Sequence, residues 1–375
     1  MPLAHALRPG SPVTRTRAWA RPLTWPQALL ATLVVLLVAE LGLRSIADHL
    51  PRQIAGDTVE IELKYDQLRS LDGRGAPVDI VVLGNSTLDA AVDPAVLAEA
   101  SQRFGAPYNA ALLGAPLPAI QRWASEFVLA ESDPDTVVLG LTPLDVPTVG
   151  IFGVSKPAVA GAFDASFDRL RPGAFQRADR NLSRRSALVE RRSVFRSPGE
   201  LWRGISDTVT GEEKAFEGDG PVTLEDGTRG VRDRETWRDR LLAPRGGNRT
   251  YWGAEFDGTV QTAVTPAERR AFETSNIDRR QLAGVVAAIR DGGVDDIVVV
   301  IPPHDLEALS DAGLPLDAFA RLADQLADYA RDQDMAVIDL SAARWPHADF
   351  FDAAHLSRRG SVRFTRLLAH ELDQL

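Results

Sequence analysis

Five short apolar runs, Val78–Leu83, Pro107–Ala111, Thr136–Leu141, Asp296–Ile301 and Met335–Leu340, alternate with stretches of helical spacing at Ala119–Ala130, Thr265–Arg290, Leu316–Arg331 and Gly360–Leu372. Runs this short and continuous suit strands covered on both faces, and strands that alternate with helices fold into a parallel sheet wrapped by those helices. The fold class is therefore α/β. One connection breaks the rhythm. Residues 147–264 are rich in Gly, Pro and Arg, poorly periodic and far longer than an ordinary crossover, which reads as an insertion, a lid or a small subdomain.

Ahead of the first strand lies WPQALLATLVVLLVAELGL, whose one charge is Glu40, preceded by Arg8, Arg15, Arg17 and Arg21. Residues 26–43, as a helix of about 27 Å, match the apolar thickness of a bilayer. The preceding arginines place the tail, 1–25, in the cytoplasm and everything after Arg44 outside a plasma membrane crossed once, with Trp25 at the interface. A cleaved signal peptide is the competing reading, and both export the rest of the chain. The expected order is then a stalk at 44–75, a first half-domain at 76–146, the insertion at 147–264 and a second half-domain at 265–375. The net charge of −10 disfavours a nucleic-acid partner, and the absence of cysteine removes disulfides, thiolate metal sites and thiol nucleophiles.

Two stretches carry chemistry. In IVVLGNSTLD, the first strand stops at Gly84-Asn85-Ser86. Ligands of an open α/β sheet sit beyond the carboxyl ends of its strands, so the expected Gly84 turn leaves Ser86 facing the crevice as a candidate nucleophile. A plain helix cap at Ser86 is the structural alternative. In DFFDAAHLS, beyond the last strand, Asp352 and His355 stand three residues apart. A serine hydroxyl needs an imidazole to take its proton, and the imidazole needs a carboxylate to fix its tautomer. Among the six histidines, His5 and His49 precede the domain, His370 reads as helix surface and His347 lacks a spaced carboxylate, which leaves His304 and His355. His355, with Asp352 three residues before it, is the candidate base.

These stretches resemble the SGNH/GDSL hydrolase-like superfamily, in its membrane-anchored envelope branch that includes alginate O-acetyltransferase-like and D-alanyl-transfer-like proteins. Leu83–Ser86 is similar to the nucleophile block, Asn109–Gly114 (NAALLG) to a second block ending in an oxyanion-hole glycine, and Asp352–His355 (DAAH) to the Asp-x-x-His block. The resemblance covers roughly 78–142 and 296–375. It implies a flavodoxin-like three-layer α/β/α domain and O-acyl transfer to, or removal from, an envelope glycan or lipid-linked sugar. It also implies a polytopic membrane acyltransferase as donor partner. The third block departs from the family, reading GLTPLD (Gly140–Asp145) where Gly-x-Asn-Asp is usual. An oxyanion hole would then rest on the N–H groups of Ser86 and Gly114, with Thr142 or Asn85 as further donors, and Asp145 reads as a loop or cap residue. The departure keeps open a second class, a catalytically silent glycan-binding or assembly protein.

Three further features have both a functional and a plain reading. His304, in IPPHD after the fourth strand, is a candidate substrate contact or a turn histidine. Ten arginines against three acidic residues between Arg169 and Arg203 would attract anionic headgroups or an acidic polysaccharide, or form a solvated face. Trp202, Trp237 and Trp252 would stack on sugar rings or form the core of the insertion. No phosphate loop and no histidine pair at ligand spacing is present, so neither cofactor nor metal is expected.

Overall fold

The computed structural model describes residues 24–46, 58–147, 156–170, 221–223, 229–231, 236–252 and 263–375. Its centre is a five-stranded, wholly parallel sheet built from β1 (Ile80–Leu83), β2 (Pro107–Asn109), β3 (Thr136–Gly140), β6 (Asp296–Ile301) and β7 (Ala336–Asp339), in the order β2-β1-β3-β6-β7. A separate antiparallel hairpin joins β4 (Pro221–Thr223) and β5 (Arg229–Val231). All five expected strands are present: β6 has the expected bounds, and the other four are shorter by one or two residues where the chain leaves the ladder. Helices cover both faces of the sheet, so its central strands are buried apart from Asp296 at the start of β6. The order reverses direction beside β1, and the carboxyl ends of β1 and β3 open there onto the crevice where ligands of such sheets sit.

The segment following β1 forms two helices, Ser86–Ala91 and Pro94–Ala100. Pro94 cannot donate to a preceding turn and Asp93 caps the second helix through Ala95 N–H, so a single run is broken there. The long helical pattern at 265–290 likewise splits into Pro266–Thr274 and Arg279–Asp291, with Asp278 capping the second.

Two organisational expectations are corrected. The segment expected to be a stalk contains a helix, Thr58–Asp72, that is an integral layer of the domain: Ile61, Tyr65, Leu68 and Leu71 enter the main core. The 147–264 insertion also supplies core. Helix Lys156–Leu170 buries Phe163 and Phe167, one turn apart, and Phe167 stacks on Trp123 with centroids 5.7 Å apart. The arginine-rich stretch lies outside the described residues from 171 onward, as does Trp202. Trp252 is flanked by the guanidinium groups of Arg249 and Arg358, 5.4 and 5.6 Å from its ring, rather than by an aromatic core.

At the amino-terminal side, helix Trp25–Ile46 contains a stretch, Trp25–Arg44, long and apolar enough to cross a membrane and almost wholly exposed, with 6% of it buried against the protein. Its one acidic residue, Glu40, pairs with Arg44 one turn later at 2.7 Å, which offsets the charge at the end of the apolar stretch. A membrane anchor and a signal sequence share these properties.

Candidate active site

β1 delivers the chain to the crevice through a tight passage. Gly84 has an ordinary backbone angle, and what requires glycine there is close approach: a Cβ would lie 3.0 Å from the Gly140 carbonyl oxygen. Asn85, not Ser86, caps the helix that follows, its side-chain oxygen accepting from Thr87 N–H at 3.1 Å. The Ser86 hydroxyl is thus spared for other partners. The loop after β7 is a closed hairpin, bridged between Phe350 and Leu356 and anchored by burial of both, with Phe351 N–H donating to His355 carbonyl at 2.8 Å. Asp349, buried at its base, accepts from Arg359 and Arg363 of the C-terminal helix Arg358–Leu372.

Within that hairpin Asp352 forms an Asx turn, its Oδ1 accepting from the N–H groups of Ala354 and His355, both at 2.8 Å. Its Oδ2 is left facing His355 Nδ1 at 2.7 Å, and His355 Nε2 stands 2.8 Å from Ser86 Oγ. A carboxylate only accepts, so Nδ1 carries the proton and Nε2 is the acceptor for the Ser86 hydroxyl. Burial works against ionisation of Asp352, but the facing imidazole and the two N–H donors outweigh it, and its carboxyl lies below the ordinary value. Residues 269 positions apart in sequence, Ser86 and His355, are therefore hydrogen-bonded at the sheet's carboxyl edge.

The other expected residues divide. The Asn109–Gly114 loop runs along β1 toward Gly84: Ala110 N–H donates to Val82 carbonyl and Leu112 N–H to Gly84 carbonyl. Gly114 itself is exposed with φ +67°, a left-handed conformation suited to glycine. Thr142 is corrected as a donor, because its buried hydroxyl donates to Asp145 Oδ2 at 2.7 Å and accepts from Leu144 N–H. Asn85 Nδ2 also donates to Asp145 Oδ2, so Asp145 is more than a loop residue: it ties the end of β3 to the residue before Ser86. His304 is corrected as a substrate contact. It is 1% exposed, donates from Nδ1 to Pro302 carbonyl and meets Phe319 edge-on. Burial, reinforced by His355, brings its pKa down to about 4 against the pull of Pro302 and Asp352. His347 is corrected as well, for its Nδ1 does have a carboxylate partner, Asp305 Oδ2, distant in sequence.

One residue escaped the sequence. Tyr251 lies nearly parallel to His355, centroids 4.3 Å apart and planes 11° from parallel, and also meets Phe351 at 5.1 Å. It belongs to the long connection between β3 and β6, where no periodicity pointed to the site.

Fold and geometry together define a parallel α/β protein with a Ser–His–Asp constellation at its switch point. No family model matches the chain, and no curated protein sequence matches it. Among solved structures, an extracellular lipase from Streptomyces rimosus is similar at 12% identity over 78% of this chain and 99% of the lipase chain, with a TM-score of 0.31. A superposition that loose bears on neither activity nor substrate.

Proposed function

We propose that the chain is a serine esterase or O-acyltransferase that works through an acyl-enzyme at Ser86. The observation that carries this reading is the continuous chain of hydrogen bonds from Asp352 through His355 to Ser86 Oγ. In the reaction, His355 Nε2 takes the Ser86 proton as Oγ attacks the ester carbonyl. The imidazolium so formed is held by ionised Asp352 and returns the proton to the departing alcohol. Water or an acceptor hydroxyl, deprotonated in turn by His355, then releases the acyl group.

The N–H groups of Ser86 and Gly114 are the proposed oxyanion donors, with the second Asn85 Nδ2 hydrogen as a further one, since only one is committed to Asp145. Loss of one oxyanion donor typically costs about 3 kcal/mol of transition-state stabilisation, so the absence of a third-block asparagine suits slow hydrolysis and preferential transfer. The resemblance to SGNH envelope proteins and the apolar N-terminal helix favour an envelope glycan or lipid-linked sugar as acceptor, outside the plasma membrane. A polytopic membrane acyltransferase is the proposed source of acyl groups.

The test is covalent labelling of the detergent-solubilised chain with a fluorophosphonate, followed by peptide mapping. Labelling at Ser86 that is lost in Ser86→Ala and slowed in His355→Ala is expected. A well-folded chain that takes up no label, and whose Ser86→Ala variant keeps full cellular function, would replace the enzyme reading with a silent glycan-binding one.

A further inference from the structure

A buried charge cluster that acyl transfer does not consume lies against the proposed oxyanion loop. The side chains of Lys64 and Asp89 have no exposed surface, and that of Glu60 has almost none. Lys64 Nζ contacts Asp89 Oδ1 at 2.5 Å and Glu60 Oε1 at 3.1 Å, and donates its remaining hydrogen to the carbonyl of Ala111. Glu60 Oε2 accepts from Leu113 N–H at 3.2 Å. Asn248 Nδ2 closes the cluster against Asp89 Oδ2 and Glu60 Oε1. Burial, and then the charge of Glu60, push the Asp89 carboxyl well above its ordinary value while Lys64 pulls it back. Burying three ionisable groups together is costly, and apolar replacements of similar shape often stabilise a fold, so stability alone does not account for the cluster.

Its geometry supplies a second account. β2 is the edge strand of the sheet, and its continuation, residues 110–113, has β1 on one side: the N–H groups of Ala110 and Leu112 donate there. The alternate residues, Ala111 and Leu113, turn their backbone groups to the other side, where a sheet edge would be left unpaired. Lys64 takes the Ala111 carbonyl and Glu60 takes the Leu113 N–H, in place of the missing strand. The same lysine holds Asp89, one turn beyond Ser86 on helix Ser86–Ala91. Helix Thr58–Asp72 thereby grips both segments that carry the proposed oxyanion donors.

We propose that Lys64 and Glu60 are positioning residues that set the Gly114 N–H against the Ser86 N–H, building the oxyanion hole from helix Thr58–Asp72. This rests on the reading of Ser86 as nucleophile. An oxyanion donor acts only when it is about 3 Å from the developing charge, and a displacement of roughly 1 Å costs as much as 100-fold in rate.

The test uses the full detergent-solubilised chain with p-nitrophenyl acetate. Lys64→Met keeps the stem and removes the ammonium; Glu60→Gln/Lys64→Met/Asp89→Asn neutralises the cluster while keeping its shape. The triple variant is expected to keep the wild-type melting temperature within a few degrees, whereas Lys64→Met, which leaves two buried carboxylates without their cation, should melt lower yet remain folded. Both should lower kcat by about 10- to 100-fold with KM within about twofold, because a misplaced donor is missed only in the transition state. Glu60→Gln alone, which retains an acceptor for Leu113 N–H, should lose least. A folded triple variant with wild-type kcat overturns the proposal. So does failure of both Lys64→Met and the triple variant to fold, which would make the cluster a requirement of the domain. A wild-type chain that is folded but neither turns over ester nor labels at Ser86 overturns the acyl-enzyme reading and this proposal with it, an outcome distinct from a slow variant of an active wild type.

Discussion

Tyr251 stacks on the imidazole of His355 at 4.3 Å, reaching the site from a segment more than a hundred residues away in sequence. A ring on that face limits imidazole rotation and, through its negative quadrupole, favours the imidazolium that forms during proton transfer. Such contacts are worth about 1 kcal/mol, or a factor of roughly five in rate. Tyr251→Phe, which keeps the ring, should therefore retain nearly full esterase activity. Tyr251→Ala should lower kcat about five- to tenfold at little cost in folding. Steady-state kinetics on both variants separates the ring from the hydroxyl: a Phe variant as impaired as the Ala variant would show that the stacking face is not what matters.

Gly140 governs how closely the helix bearing Ser86 seats on the sheet. A Cβ at this position would fall 1.9 Å from Leu88 Cγ and 2.3 Å from Leu88 Cδ2. Gly140→Ala should destabilise the domain by about 1–3 kcal/mol and disturb Ser86 with it. In Gly140→Ala/Leu88→Ala the added methyl enters the space the leucine left, so the double variant should be no less stable than Leu88→Ala alone. Urea unfolding of the three variants measures that coupling directly.

Much of this architecture was legible in the chain, for identifiable reasons. The strands were visible because each carries a short run dominated by apolar residues, fully buried in β1 and β3. Asp352 and His355 were visible because a tight Asx turn fits the whole arrangement into four residues. Helix Thr58–Asp72 was misread because Glu60 and Lys64, one turn apart, resemble an exposed surface pair, and only tertiary structure turns that face inward. Helix Lys156–Leu170 carries its buried Phe163 and Phe167 within an Ala-rich background of weak periodicity. Asp145 and Tyr251 depend on partners distant in sequence, Asn85 and His355, and no local pattern announces such contacts.

His304 makes stability depend on pH. Its pKa is about 4 in the folded chain against 6.5 when unfolded, so between those values the unfolded state binds more protons. Stability should therefore be unaffected by this residue above about pH 6.5 and fall as pH drops toward 4, by as much as roughly 3 kcal/mol. His304→Leu, which cannot titrate, should flatten the loss over that window even if its stability at neutral pH is lower. Melting temperatures recorded from pH 7 to 4 for both chains decide the matter; parallel curves would assign the acid sensitivity to other groups.

Ser86, His355 and Asp352 act as one unit if the hydrogen-bonded chain that joins them is the catalytic apparatus. Ser86→Ala removes the atom that becomes acylated, and His355→Ala removes the acceptor 2.8 Å from it. Each should lower kcat for ester turnover by roughly 10³-fold or more, and their combination should lower it little further, since neither group retains a function without the other. Asp352→Asn should cost somewhat less in rate, but it replaces an acceptor-only group with one that can present N–H to His355 Nδ1, and so favours the wrong tautomer. Because the Asp352 carboxyl lies below its ordinary 3.8, it stays ionised through mildly acidic pH, and the acid-side loss of kcat/KM in the wild type should follow a single proton. Kinetics of the single and double variants, with melting temperature as the folding control, test both expectations. Additive losses from Ser86→Ala and His355→Ala would mean that the two residues act independently, and proton transfer between them would have to be abandoned.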